Sequence, residues 1–286
     1  MPTVQINEVS ITYEVTGNGF PLLFAHEFAG DMTSWVPQVL HFSKEYSVIT
    51  FNTVGYPPSD VPSNLELYSY QSQISYIKGI LDHLQIDQAH IAGLSMGSQA
   101  ALGFGITFPK IAKTLVIAGA GTGSTNTSAF KEDAEKRALI LEQEGMQGLK
   151  DYTNGTTRAR FQQRNPSGWQ HFANGFLSHS AVGSANTLRG YQAKRPSIYE
   201  LSDELEKLDI PTLIIVGDED DPCIKPSLFM KQVIPRSGLF MMPQTGHAVN
   251  IERPAEFNEA LDSFFSEVSN GGWPLFDPGS GDAWRL

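Results

Sequence analysis

The stretch that most constrains this chain is Gly93-Leu94-Ser95-Met96-Gly97, a G-x-S-x-G pattern between two apolar segments. Residues 90–92 before it predict a short buried strand, and residues 98–104 after it predict a helix. A strand that turns abruptly into a helix strains its central residue, so small residues are needed on both sides. The pattern therefore predicts an exposed Ser95 hydroxyl at a helix N-terminus, where backbone N–H groups face developing negative charge. The alternative is a glycine-rich packing turn with a surface serine.

Strand and helix signals alternate along most of the chain. Six apolar runs are of the kind found in buried parallel strands. They occur at residues 21–26, 46–51, 90–92, 114–120, 209–216 and 239–242. Helical periodicity separates them, most clearly at residues 70–84 and 254–268. Residues 4–15 alternate around Asn7-Glu8 and predict an antiparallel hairpin. The sequence thus predicts an α/β fold with a doubly wound, mostly parallel sheet.

The alternation stops after residue 122. Residues 123–197 contain helical patterns and no strand pattern, so we interpret them as a helical cap or lid inserted into the sheet domain. The core then comprises residues 1–122 and 198–268. Residues 269–286 are rich in glycine and proline and predict an irregular C-terminal tail.

Composition excludes several classes of function. The net charge of −11 argues against a nucleic-acid partner and against adhesion to anionic membranes. No apolar run is long enough to span a membrane, and the first residues do not form a signal peptide. A single cysteine excludes an internal disulfide and a metal site built from cysteines. We expect a cytoplasmic protein with no cofactor and no metal, and the sequence gives no basis for an oligomeric state.

A nucleophilic serine needs a base and a group that orients the base. In open α/β sheets such groups lie at the carboxyl ends of strands, and His26, Ser95 and His247 each follow a predicted strand. His247 is the strongest candidate base because it lies in a glycine turn before the closing helix. Position alone does not identify the acid that orients His247. Four carboxylates follow the strand predicted at residues 209–216, namely Asp218, Glu219, Asp220 and Asp221.

The Ser95 motif, Asp220 and His247, in the chain order Ser…Asp…His, resemble the α/β-hydrolase superfamily from about residue 4 to residue 268. The elbow sequence and the segment after His247 look most like its esterase and enol-lactonase branch. The resemblance implies that Asp220, three residues after a strand-ending glycine, is the acid. It also implies oxyanion donors at the backbone N–H groups of Phe28 and Met96, and a cap domain in the insertion.

Two departures from that family concern the predicted pocket. Glu27 stands where most members have glycine, and the loop at residues 52–59 differs from the usual glycine-rich pattern. His26 and Glu27 are therefore candidate pocket residues. Glu27 has two arrangements open to it. Its carboxylate turns away and bonds backbone or a neighbouring arginine, or it faces the pocket and disfavours anionic substrates.

Serine at the elbow, rather than the aspartate of related dehalogenases and epoxide hydrolases, implies acyl transfer. The predicted function is a serine hydrolase that cleaves a small carboxylic ester or lactone through an acyl-enzyme intermediate. One alternative is a carbon–carbon bond hydrolase of ring-cleavage products, whose carboxylate substrates require an arginine clamp. Candidates for that clamp are Arg158, Arg160, Arg164, Arg189 and Arg195. Another alternative, from a different class, is a hydrolase-like ligand receptor with little turnover.

Overall fold

An eight-stranded sheet runs through the centre of the computed structural model, which describes residues 1–275. Its spatial order is β1-β2-β4-β3-β5-β6-β7-β8. The first two pairings, β1 with β2 and β2 with β4, are antiparallel, and the rest are parallel. The predicted α/β class with a mostly parallel sheet is confirmed. The strands are β1 (Thr3–Ile6), β2 (Val9–Thr16), β3 (Phe20–Ala25), β4 (Tyr46–Asn52), β5 (Ala89–Leu94), β6 (Ala112–Ala118), β7 (Thr212–Gly217) and β8 (Ser237–Met242).

Helices cover both faces of the sheet and fill the connection between β6 and β7. In chain order they are α1 (Val36–Phe42), α2 (Tyr70–His83), α3 (Met96–Thr107), α4 (Thr127–Glu144), α5 (Ala159–Arg164), α6 (Pro166–Leu177), α7 (Ala181–Thr187), α8 (Ser202–Leu205), α9 (Asp221–Val233), α10 (Val249–Glu252) and α11 (Pro254–Ser269). Within residues 1–275, none of them combines the length and apolar character that crossing a bilayer requires.

The central strands bury side chains on both faces, which explains their continuous apolar sequences. In β3, Leu22 and Phe24 belong to one core, whereas Leu23 and Ala25 belong to the core on the opposite face. The Phe24 ring stacks on Trp35 with centroids 4.6 Å apart. Helices α1 and α11 close this face, and α2 and α3 close the other.

The connection between β6 and β7 is helical throughout its ordered elements, as its sequence predicts. Besides α4 to α8 it contains single-turn and irregular helices at Gly145–Asn154, Thr156–Arg158, Leu188–Gln192 and Tyr199–Leu201. The sequence did not predict α5 or the turn at Thr156–Arg158, because neither carries an apolar repeat long enough to register. The division of the chain into a core and a separate cap stays a prediction.

Helix α11 ends at Ser269, where the predicted irregular tail begins. Trp273 then packs edge-on against Phe264, with centroids 4.7 Å apart, and donates its ring N–H to the Arg236 carbonyl. This part of the tail is thus joined to the sheet edge. The remainder of the predicted tail, residues 276–286, lies outside the described residues.

The close approach of α3 to β3 at Gly97 predicts a large cost for any side chain there. A Cβ atom on Gly97 would lie 2.2 Å from the Ala25 carbonyl oxygen, so two backbone segments would have to separate. We expect Gly97→Ala to lower the free energy of unfolding in urea by on the order of 3 kcal/mol.

Gly175, within α6, is the matched control because a Cβ atom there meets nothing within 4 Å. Gly175→Ala should leave stability unchanged or raise it by about 0.5–1 kcal/mol, as expected for alanine in a helix. Similar effects of the two substitutions would contradict the close-packing argument.

Candidate active site

Ser95 lies at the junction of β5 and α3 in a strained backbone conformation. Its φ is +55° and its ψ is −112°, which non-glycine residues rarely adopt. The Ser95 N–H donates to the Ala118 carbonyl at 2.8 Å, which ties the turn to β6. Gly93 also has to be small, because a Cβ atom on it would lie 2.3 Å from the Gly97 carbonyl oxygen. The sequence therefore predicted the strand, turn and helix around Ser95 correctly.

Asp220 and His247 form a buried hydrogen-bonded pair. Asp220 follows β7, His247 follows β8, and His247 Nδ1 lies 2.7 Å from Asp220 Oδ2. Burial lowers the pKa of His247, but the charge and hydrogen bond of Asp220 raise it by more, and the net shift is upward. This arrangement fixes the ring orientation and leaves Nε2 as the nitrogen for proton transfer.

The other carboxylates of the acidic row have different surroundings. Asp218 accepts the Thr245 N–H at 3.2 Å, and Glu219 pairs with Arg160 at 2.6 Å near the surface. Asp221 is exposed at the start of α9. Of the four neighbours, Asp220 is the one that contacts His247.

One cavity of about 480 Å³ brings the candidate residues together. Ser95, Asp220, His247 and Phe28 all line it. Gly119 illustrates how closely the elements approach, since a methyl group on it would lie 3.3 Å from both His247 Cε1 and Leu94 Cδ1. Leu94, the residue before Ser95, and the imidazole of His247 therefore both lie close to Gly119.

The two candidate oxyanion donors are held through their own carbonyl groups. The Tyr56 hydroxyl donates to the Phe28 carbonyl at 2.9 Å, and the Tyr191 hydroxyl donates to the Met96 carbonyl at 2.8 Å. The N–H groups of Phe28 and Met96 have no acceptor among residues 1–275. Both amides thus remain available to an anionic oxygen.

His26 does not line this cavity, which corrects its place among the candidate pocket residues. Its Nδ1–H donates to the Glu27 carbonyl at 2.8 Å, and its Nε2 accepts the Thr53 N–H at 3.2 Å. Burial lowers the pKa of His26, so the ring is neutral and joins the two loops as a structural element. Its position after β3 was predicted, but which way the ring points depends on Thr53, a residue distant in sequence.

Glu27 is likewise absent from the cavity lining, and its carboxylate has turned towards an arginine. Glu27 Oε2 lies 2.6 Å from Arg158 Nη2, with the two side chains 1% and 5% exposed. Arg158 is among the residues that line the cavity, and its guanidinium lies over the Tyr152 ring, 5.2 Å from its centroid. The first of the two arrangements expected for Glu27 is the one observed.

The loop that carries His247 is held by contacts that the sequence did not predict. One of them comes from the residue before Arg158. The Thr157 carbonyl accepts the His247 N–H at 2.8 Å, and a Cβ atom on Gly246 would lie 1.9 Å from the same oxygen. Glu252 accepts the Gly246 N–H at 2.9 Å and pairs with Arg164 at 3.0 Å. Side-chain patterns do not predict backbone contacts of this kind. The one sequence signal here is Gly246, where a larger residue would not fit.

Cys223 is a further neighbour that the sequence did not place in the site. Its sulfur lies 3.9 Å from His247 Nδ1 and donates to the Gly119 carbonyl at 3.2 Å. Burial, with the Asp220 charge, raises the pKa of the Cys223 thiol, so the group is a neutral packing element. Asp220, Cys223 and His247 offer ligand atoms within 4.8 Å of one another, but an ion there would have to displace the His247–Asp220 hydrogen bond.

Comparison with known proteins shows which family the chain belongs to. The profile of the family described as alpha/beta hydrolase fold matches residues 21–254, and the chain belongs to that family. It is 28% identical over 264 residues to 3-oxoadipate enol-lactonase 1 of Acinetobacter baylyi, covering 91% of this chain and 94% of that protein. It is 26% identical over 265 residues to 2-hydroxymuconate semialdehyde hydrolase of a Pseudomonas species, covering 88% and 89% respectively. Among solved structures, a thermophilic esterase from Thermogutta terrifontis has a TM-score of 0.85 at 24% identity, covering 94% of this chain and 99% of that chain, which shows a shared fold.

The buried pair of Glu27 and Arg158 predicts a sharp loss of stability when one charge is removed. Glu27→Gln leaves the Arg158 guanidinium buried without a counter-ion, which typically costs about 3–5 kcal/mol. We expect this loss in urea unfolding. The double variant Glu27→Gln/Arg158→Leu should recover most of it, because no unpaired charge remains.

Glu219→Gln is the matched control, since Glu219 also pairs with a helix-borne arginine but is 33% exposed. Exposed pairs contribute about 0–1 kcal/mol, so this variant should unfold almost as the parent does. Equal losses for Glu27→Gln and Glu219→Gln would contradict the buried-pair argument.

Proposed function

We propose that this protein is a serine hydrolase that cleaves a small carboxylic ester or lactone through an acyl-enzyme intermediate. The observation that carries the proposal is the strained Ser95 in one cavity with the hydrogen-bonded pair of Asp220 and His247. The enol-lactonase to which the chain is 28% identical acts on this type of bond, as its name states. Both the site and this relative therefore support acyl transfer.

In the proposed mechanism His247 Nε2 takes the Ser95 hydroxyl proton as Ser95 Oγ attacks the substrate carbonyl carbon. The backbone N–H groups of Phe28 and Met96 donate to the resulting oxyanion. The protonated His247 then gives its proton to the leaving alkoxide, and the acyl group stays on Ser95. A water molecule, deprotonated by His247, attacks the acyl-enzyme; as the bond between the acyl carbon and Ser95 Oγ breaks, His247 gives that proton to Ser95 Oγ, and the carboxylic acid is released.

The decisive variant for this proposal is Ser95→Ala. Loss of the nucleophile from a serine triad lowers turnover by about six orders of magnitude in a comparable enzyme, so only background hydrolysis should remain. Hydrolysis of short-chain 4-nitrophenyl esters measures this, with circular dichroism as the check that the fold is unchanged. A fluorophosphonate should label the parent protein at Ser95, as located by peptide mass spectrometry.

Two outcomes would contradict the proposal. Labelling at another residue with full inhibition would move the nucleophile elsewhere. Ser95 labelling without turnover of any ester or lactone would instead favour a receptor that retains a reactive serine.

The role of Asp220 predicts a change in pH dependence as well as in rate. The base must be neutral, so activity of the parent should rise with pH through a His247 pKa above its ordinary value of about 6.5. Asp220→Asn removes the charge that raises this pKa. The rising limb of kcat/KM should then move to lower pH, and kcat should fall by about four orders of magnitude.

Asp218→Asn and Asp221→Asn are the matched controls, because neither carboxylate contacts His247. Both should keep the parent pH profile and most of its turnover. A larger loss at position 218 than at position 220 would assign the acid differently.

A further inference from the structure

A second cavity lies beside the loop that carries the candidate oxyanion donor Phe28. Its volume is about 330 Å³, and within residues 1–275 it shares no lining residue with the cavity that contains Ser95. Residues 29–31, which follow Phe28, line it on one side, and residues of α6 line it on another. Its location is therefore distinct from that of the candidate catalytic residues.

The walls of this second cavity are largely apolar. Two of them are the aromatic rings of Phe161 and Phe172, whose centroids are 6.2 Å apart. Aliphatic surface comes from Ala29, Val36, Pro37, Ile251 and Pro254. Val36 is 48% exposed, so apolar surface continues to the solvent side of the cavity. Such walls suit a ligand with an apolar, ring-containing body.

The cavity also contains a carboxylate without a cationic partner. Among its lining residues within 1–275, Asp31 is the only acid, and lysine and arginine are absent. The Thr33 N–H donates to Asp31 Oδ1 at 2.7 Å, and the Thr33 hydroxyl donates to the same oxygen. Both of these partners are neutral, so the charge of Asp31 is not balanced by them.

His179 faces the other oxygen of Asp31 and does not balance the charge either. Its side chain is 5% exposed, and its Nε2 lies 3.9 Å from Asp31 Oδ2, which is beyond hydrogen-bond distance. Burial is the largest effect on the pKa of His179 and lowers it, although the charge of Asp31 opposes this shift. The imidazole is thus neutral near pH 7, and neither of its nitrogens has a hydrogen-bond partner among residues 1–275.

We propose that this cavity binds a primary arylalkylammonium ion, with the ammonium group at Asp31 and His179 and the ring against Phe161 and Phe172. An ammonium group supplies the missing positive charge, and its three N–H donors suit both a carboxylate oxygen and a neutral imidazole nitrogen. A volume of about 330 Å³ is at the lower end for small-molecule sites, which favours one ring on a short chain. The inference does not rest on the proposed function, because the cavity contains none of the candidate catalytic residues.

Two ligands with the same carbon skeleton test the role of the charge. The probe is 2-phenylethylamine, whose amine is protonated near pH 7 as a lysine side chain is, and 2-phenylethanol is its neutral counterpart. In calorimetric titrations we expect the parent protein to bind the amine at least about tenfold more tightly than the alcohol.

Asp31→Asn should abolish this preference and leave the affinity for the alcohol within about threefold of the parent. Asparagine caps a helix as well as aspartate does, so the turn at Met32–Trp35 should keep its structure. Asp151→Asn is the matched control, since Asp151 is an exposed acid that lines the catalytic cavity instead. It should bind both ligands as the parent does.

A substitution at Gly175 tests the location of the ring. Gly175 lines the second cavity, and a Cβ atom on it would meet nothing within 4 Å. Leucine is a good helix former, so Gly175→Leu should fold and occupy the space. We expect it to weaken both the amine and the alcohol by at least about tenfold.

Three results would overturn the ammonium site. They are no preference for the amine in the parent, an unchanged preference in Asp31→Asn, and unchanged affinities in Gly175→Leu. A preference that is lost in Asp151→Asn would place the amine in the catalytic cavity, and so would competitive inhibition of 4-nitrophenyl butyrate hydrolysis. The titrations need no turnover, so the ammonium site stands or falls separately from ester hydrolysis.

Discussion

The contact on which the site depends is the backbone approach of α3 to β3 at Gly97. It permits the turn at Ser95 to be tight, and the tight turn holds Ser95 at a positive φ. Three strands hold Ser95 in this conformation. Strand β3 contacts Gly97, β5 leads into the turn, and the Ala118 carbonyl of β6 accepts the Ser95 N–H. A strained conformation persists only where its surroundings over-determine it, and here the sheet provides them.

The segment between β6 and β7 takes part in the site as well as covering it. The Thr157 carbonyl holds the His247 backbone, and Arg158 holds Glu27 beside the Phe28 amide. The Tyr191 hydroxyl holds the Met96 carbonyl from a third point in the same segment. Substitutions in this segment should therefore alter both substrate preference and the alignment of the reacting groups, and the two effects need separate measurements.

Local sequence predicted the elements that carry the site better than it predicted their contacts. The G-x-S-x-G turn and the periodicity of the strands are local signals, and the resemblance to a known family then selected Asp220 from four neighbouring acids. The orientation of Glu27 was left between two arrangements, because its partner Arg158 lies 131 residues away. Arg195 appeared in the sequence as one of five candidate clamp arginines, and separating it from the other four required knowing that each of those has a carboxylate partner.

The buried pair of Glu27 and Arg158 has an electrostatic consequence for His247. Glu27 raises the pKa of His247 and Arg158 lowers it, so their effects oppose each other at the imidazole. Asp220 is then left as the main charge that raises the His247 pKa against the effect of burial. Glu27, next to the candidate oxyanion donor Phe28, is thus tolerated because Arg158 pairs with its charge. The pair allows a charged residue to occupy the position next to Phe28.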